Sequence, residues 1–114
     1  MVSGILNIFE HSAALDAHLP ALMSSAADAA ASTGIVRAED LKLRALPYTQ
    51  YQLAVPGQQF VHLSVRLLEG RSDPQKQQLA ETLRAVLVEH LPEVYSLSVE
   101  IIDMHAESYK KRLL

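Results

Sequence analysis

Cysteine and tryptophan do not occur in the 114 residues, and phenylalanine occurs only twice. Without cysteine there is no disulfide framework, no thiolate nucleophile and no zinc site built on sulfur ligands. Neither sign of charge dominates: 10 Lys and Arg stand against 13 Asp and Glu, for a formal net charge of −3. That balance argues against a field that steers nucleic acid and against a polybasic membrane patch, so neither partner is expected, while a local site for a small anion stays open. A long apolar run is also missing. The opening MVSGILNIFEHS has no basic lead and is interrupted by Asn7 and Glu10, so it reads neither as a signal peptide nor as a membrane span. His18, His90 and His105 share no ligand spacing, and no metal or cofactor is expected. What remains is one domain over residues 1–114 with a small core, cytoplasmic by default.

The apolar residues that are present fall into strand and helix periods. Ile5 to Phe9 is rich in β-branched and aromatic residues and reads as a first strand. From Leu15 onward Leu19, Leu22, Met23, Ala26, Ala27 and Ala30 recur at three and four, a helical stripe that stops at Gly34 in the C′ position. The segment LKLRALPYTQYQLA follows, broken by Pro47, and after the turn signal VPGQ comes the strand QFVHLSVRLL, with Val61, Leu63, Val65 and Leu67 on one face. Ser72 or Asp73 caps the next helix and Pro74 suits its first turn; Leu79, Leu83, Val86, Leu87 and His90 line one side, and Pro92 stops it. SLSVEIIDM is the last strand, and the basic tail HAESYKKRLL is helical, extended or mobile.

This order is a doubled βαβ arrangement. Right-handed crossovers place both helices on one face of a four-stranded sheet, an α+β architecture that leaves the other face bare. Phe60, Leu68, Leu97, Val99 and Ile101 are the expected apolar residues of that bare face, and a patch of this kind points to self-association.

Between the third strand and the second helix stands EGRS. Gly70 permits close backbone approach, and the helix start after Ser72 offers unpaired N–H groups to a carboxylate, which Arg71 can grip in bidentate fashion. Asp73 competes for the same donors, and an exposed loop arginine is the plain alternative.

The run FVHLSVRLLEGRS, with QKQQLAETL after it and ASTGI and LKLR before it, resembles the 5-carboxymethyl-2-hydroxymuconate isomerase family of the tautomerase superfamily, from about Glu10 to about His105. The resemblance implies a four-stranded mixed sheet with two helices on one face, a homotrimer, and no cofactor. It also implies a function in aromatic-compound catabolism: proton transfer between the dienol and keto forms of a small unsaturated carboxylic acid. In that family arginines bind the carboxylates and polarise the developing enolate; Arg71 of GRS and Arg44 of LKLR match two of them. A preorganised cation stabilises an enolate most where water is excluded. Lys42 stands where related sequences often have a basic residue, and offers a point charge without the planar fork.

The family's proton carrier, an N-terminal proline, has no counterpart. Ile5 occupies its place, preceded by Val2, Ser3 and Gly4 once Met1 is removed. The real α-amine, on Met1 or Val2, has an ordinary pKa of about 8 and a tether of about 10 Å, so it either folds back into the pocket or lies outside it. His11, which follows the first strand close to the expected mouth of the site, is the next candidate, and Glu10 is either a buried base with a raised pKa or a surface carboxylate paired with an arginine. His62 reads as a hydrogen-bonded sheet residue. Tyr48 and Tyr51 either donate to an oxyanion or cover an edge between subunits; Tyr51 is counted with Arg44, Arg71 and Lys42 as substrate-binding. Three functions compete: an isomerase, a catalytically impaired oligomer that still binds carboxylates, and a structural protein whose arginines bridge subunits.

Overall fold

The structure is a computed structural model that describes residues 4–114. Its four strands are β1 (Ile5–Ser12), β2 (Leu41–Tyr48), β3 (Phe60–Leu68) and β4 (Ser96–Met104), and its two α-helices are α1 (Leu19–Ser32) and α2 (Asp73–His90). The sheet runs β2-β1-β3-β4, with β1 parallel to β2, antiparallel to β3, and β3 parallel to β4. Each parallel pair is joined by a helix, which gives the mixed sheet of two βαβ units. Among the described residues no helix is long and apolar enough to cross a membrane.

The core lies between the sheet and the helices. Ile5, Phe9, Val61, Leu63, Val65 and Leu67 from the sheet meet Leu22, Ala26, Leu79, Leu83 and Leu87 from the helices, all of them buried. Burying one such Val, Leu or Phe side chain contributes about 1.5–3 kcal/mol. The strict alternation of β3 fixes its facing, because a slip of one residue would expose all four inward side chains. Two polar side chains of β1 also face inward: Asn7 donates from its amide to the Lys42 carbonyl at 3.3 Å, and His11 is fully buried.

Local boundaries follow capping chemistry. Ser72 caps α2: its hydroxyl accepts from the Gln75 N–H at 3.3 Å while the Gln75 side chain accepts from the Ser72 N–H at 2.9 Å, a reciprocal box that decides between Ser72 and Asp73. Three expectations need correction. The first strand continues to Ser12, and a 3₁₀ turn over Ala13–His18 precedes α1, so the helix begins at Leu19, four residues after Leu15. Pro47 does not break β2, because β2 is an edge strand, where a missing donor is tolerated.

The third correction concerns the bare face. Leu97, Val99 and Ile101 pair with Val61, Leu63 and Val65 and pack on the helix side against the core. Phe60 and Leu68 lie on the open face as expected, joined by Leu6, Ile8, Ile102 and Met104 and mixed with Lys42, Arg44, Arg66, Glu10, His62 and Glu100, as the register requires. It is amphipathic and not simply apolar. Two polar clusters cross it. Tyr48 donates its hydroxyl to Glu10, and His62 Nδ1 lies 2.6 Å from Ser98 Oγ with its Nε2 3.5 Å from Glu100.

Candidate functional site

Arg71 sits where β3 leaves the sheet and α2 begins. Gly70 ahead of it adopts φ +129°, a conformation that side-chain-bearing residues rarely reach, and so turns the chain sharply enough to bring the guanidinium back over the strand end. Nη1 donates to the Leu68 carbonyl at 3.2 Å, and Nε and Nη2 both donate to the Ile35 carbonyl at 3.4 Å. These bonds use three of an arginine's five N–H donors and leave one on each Nη. The guanidinium is half-buried, tied to two separate segments, and still able to meet a carboxylate.

The start of β1 lies at the same end of the sheet. Leu6 pairs with Arg66, and continuing that antiparallel register carries Gly4 toward Leu68, the residue whose carbonyl takes Arg71. Lys42, on the open face of β2, stands beside Leu6, and Arg44 is exposed two residues farther along, beside Ile8. Arg44 and Lys42 therefore project from the open face, while Arg71 closes the sheet's end.

His11 does not belong to this group. It lies within β1, opposite Val61 and six residues from Ile5, or about 20 Å at the rise of a strand. Its ring is fully buried on the helix side; Nδ1 is 2.8 Å from the Ser12 carbonyl, and Nε2 has no hydrogen-bond partner among the described residues, with Asp16 Oδ1 at 3.4 Å. The expectation that it stands at the mouth of the site is corrected: the extension of β1 to Ser12 draws it into the packing layer. Tyr51 is also remote, in the β2–β3 connection, where its hydroxyl bonds the Gln58 carbonyl at 3.2 Å and Gln59 Oε1 at 3.0 Å and its ring meets Phe60 edge-on. With Thr49, Gln52 and Pro56 it lines an open hollow of about 620 Å³ at the end of the sheet opposite Arg71. Met1 and Val2 lie outside the described residues.

On the open face, the Glu10 carboxylate that accepts the Tyr48 hydroxyl proton raises the Tyr48 phenol above its ordinary value, with desolvation adding in the same direction. Glu10 is thus paired with a tyrosine and not with an arginine. His62 is the hydrogen-bonded sheet residue expected. Sequence reasoning passed over Asn7 and the tail residues Tyr109 and Lys111. A polar residue inside an apolar strand was the available sign for Asn7; the tail gave only its charge.

A two-βαβ chain with a mixed sheet and both helices on one side is the tautomerase-superfamily fold. Solved structures with the same architecture include a 5-carboxymethyl-2-hydroxymuconate isomerase from Deinococcus radiodurans R1, at TM-score 0.84 and 23% identity over 96% of this chain and 90% of that one. A 5-carboxymethyl-2-hydroxymuconate delta-isomerase follows at TM-score 0.75 and 21% identity, covering 97% and 89%. A fused 4-OT described as a symmetric trimer matches at TM-score 0.76 and 20% identity, covering 94% and 93%. Identities this low carry the fold alone. No curated protein matches in sequence. The family model for 5-carboxymethyl-2-hydroxymuconate isomerase matches residues 7–113, and the chain belongs to that family.

Proposed function

We propose that the chain is an isomerase of a small unsaturated carboxylic acid, moving a proton between its dienol and keto forms without a cofactor, and that it works as a homotrimer. The observation that carries this reading is Arg71: a guanidinium fixed by two carbonyls at the start of β1, with a donor left on each Nη. Proton removal next to a carbonyl builds negative charge on oxygen, and a cation already held in place stabilises that charge without reorganising. Arg44 and Lys42 supply further positive charge from the open face. The α-amine of Met1 or Val2 is the proton carrier in this reading, with an ordinary pKa of about 8. His11 has no part in it, because its ring is enclosed between sheet and helices.

The amphipathic open face and the trimeric 4-OT neighbours support the trimer in this reading. Assembly also accounts for Tyr51, which reaches an Arg71 site only from another subunit. A second reading, a trimer that binds carboxylates without turnover, draws support from Ile5, whose buried backbone nitrogen is an amide where the family's proline supplies an amine. Ultraviolet absorbance of 5-carboxymethyl-2-hydroxymuconate, followed with protein of native N-terminus between about pH 6 and 9, a span centred near the α-amine's pKa, distinguishes the two. The isomerase reading requires turnover that falls at least about a hundredfold in Arg71→Ala, as expected for a lost transition-state donor. Absence of turnover, with a raised melting temperature in the same acid, selects the second reading; absence of both removes each of them.

A further inference from the structure

The C-terminal tail returns to the Arg71 end of the molecule. After β4 a 3₁₀ turn over Ala106–Ser108 is pinned by the Ala106 N–H donating to Glu69 Oε2 at 2.7 Å. Beyond it Tyr109 and Lys111 are half-buried, while Lys110 and Arg112 are exposed, so an extended tail lays alternate side chains on the body. Both inward residues converge on Gly4, the buried glycine just ahead of β1. A Cβ built there would stand 2.5 Å from the Tyr109 hydroxyl oxygen and 3.4 Å from Lys111 Nζ. Glycine is the residue that leaves room for this approach.

The tail therefore seats an ammonium at the end of the sheet that also holds Arg71. Among the described residues no carboxylate lies within 4.0 Å of Lys111 Nζ, and the bonds of Arg71 go to neutral carbonyls. Two half-buried cations at one end of a fold offer an acid with two carboxylates two points of attachment. The Tyr109 hydroxyl packs against Gly4 beside the ammonium.

We propose that Lys111 is a specificity-determining residue of the site: it takes the second carboxylate of an extended unsaturated diacid whose first carboxylate is held by Arg71. This rests on the reading of Arg71 as a carboxylate anchor. The test is calorimetric titration of the full chain with two probes, trans,trans-muconate and sorbate, which share an extended six-carbon diene but carry two carboxylates and one. Wild type is expected to bind muconate at least about tenfold more tightly than sorbate, the worth of one charge-assisted contact. Lys111→Gln is expected to erase that ratio while leaving sorbate unchanged, and Lys111→Arg to restore it, a rescue that a role in tail packing alone would not give. If Arg71→Ala loses both acids but Lys111→Gln keeps the wild-type ratio, the tail proposal is wrong and the anchor stands. If wild type binds neither acid, or Arg71→Ala binds both as wild type does, the anchor reading fails and takes the proposal with it.

Discussion

Replacing Arg71 probes two functions of one side chain, and the structure sets a size for each. The structural part is the tie between Leu68 and Ile35. Hydrogen bonds from a charged donor contribute about 1.5–3 kcal/mol when short and well shielded. Here the distances are 3.2 to 3.4 Å, two of the three donors share the Ile35 carbonyl, and the side chain is only half-buried. Counting the shared acceptor once and discounting for length and solvent leaves about 1–2 kcal/mol. In a domain of this size that corresponds to a melting point lower by about 4–8 °C in Arg71→Ala. The binding part rests on the two remaining Nη donors, and loss of a partly shielded bidentate contact is worth about 2–3 kcal/mol, or a factor of about 30–150 in affinity for a carboxylate. Arg71→Lys keeps the charge but cannot span both carbonyls or grip a carboxylate with a fork, so it should fall between wild type and alanine on both scales. Calorimetric melting and ligand titration on the three proteins give the two numbers separately. A melting point within about 1 °C of wild type in Arg71→Ala would refute the tie, since even the low end of the estimate exceeds it. Unchanged carboxylate affinity would refute the use made of the free donors.

Two further outcomes are expected. Ser72→Ala removes the acceptor of the α2 capping box and should cost about 1 kcal/mol in urea unfolding with an unchanged slope; an effect under a few tenths would mean that the box of Ser72 and Gln75 is not formed in solution. Tyr48, raised by its bond to Glu10, contributes stability that is present in full below the ordinary phenol pKa near 10 and is lost as pH rises through the higher folded value. Ultraviolet difference spectra should then show a tyrosine step above the ordinary phenol range, and Tyr48→Phe should abolish that late step. Lys76, raised by its bond to Asp103, titrates in the same alkaline range, so the comparison is between wild type and Tyr48→Phe rather than against neutral pH alone. A late step that survives the substitution would place it on another tyrosine.

Elements whose period matched their burial could be read directly. Val61, Leu63, Val65 and Leu67 are inward as their alternation requires, α2 buries Leu79, Leu83 and Leu87, and β4 spans the nine residues of SLSVEIIDM. Misreadings arose where a neighbour overruled a local signal. Pro47 is a breaker in isolation but harmless at a sheet edge. Leu97, Val99 and Ile101 were assigned to the wrong face because their facing depends on pairing with β3 and not on their own spacing.

Within the site, the GRS segment and the resemblance around it marked Arg71 before any fold was known, since a glycine, a cation and a helix cap in succession are local chemistry. The placement of His11 was not legible: three more residues of strand moved it from the expected mouth into the core. Nor was the contact of Tyr109 and Lys111 with Gly4, which joins positions more than a hundred residues apart. By itself the sequence determined the alternation of strands and helices, their caps, the family and the presence of basic residues in three separate segments, because periodicity, capping and motif are properties of neighbours along the chain. Only the tertiary structure decided which of those residues share an end of the sheet. Strand register and the path of the returning tail set distances between residues remote in sequence, and no local pattern encodes them.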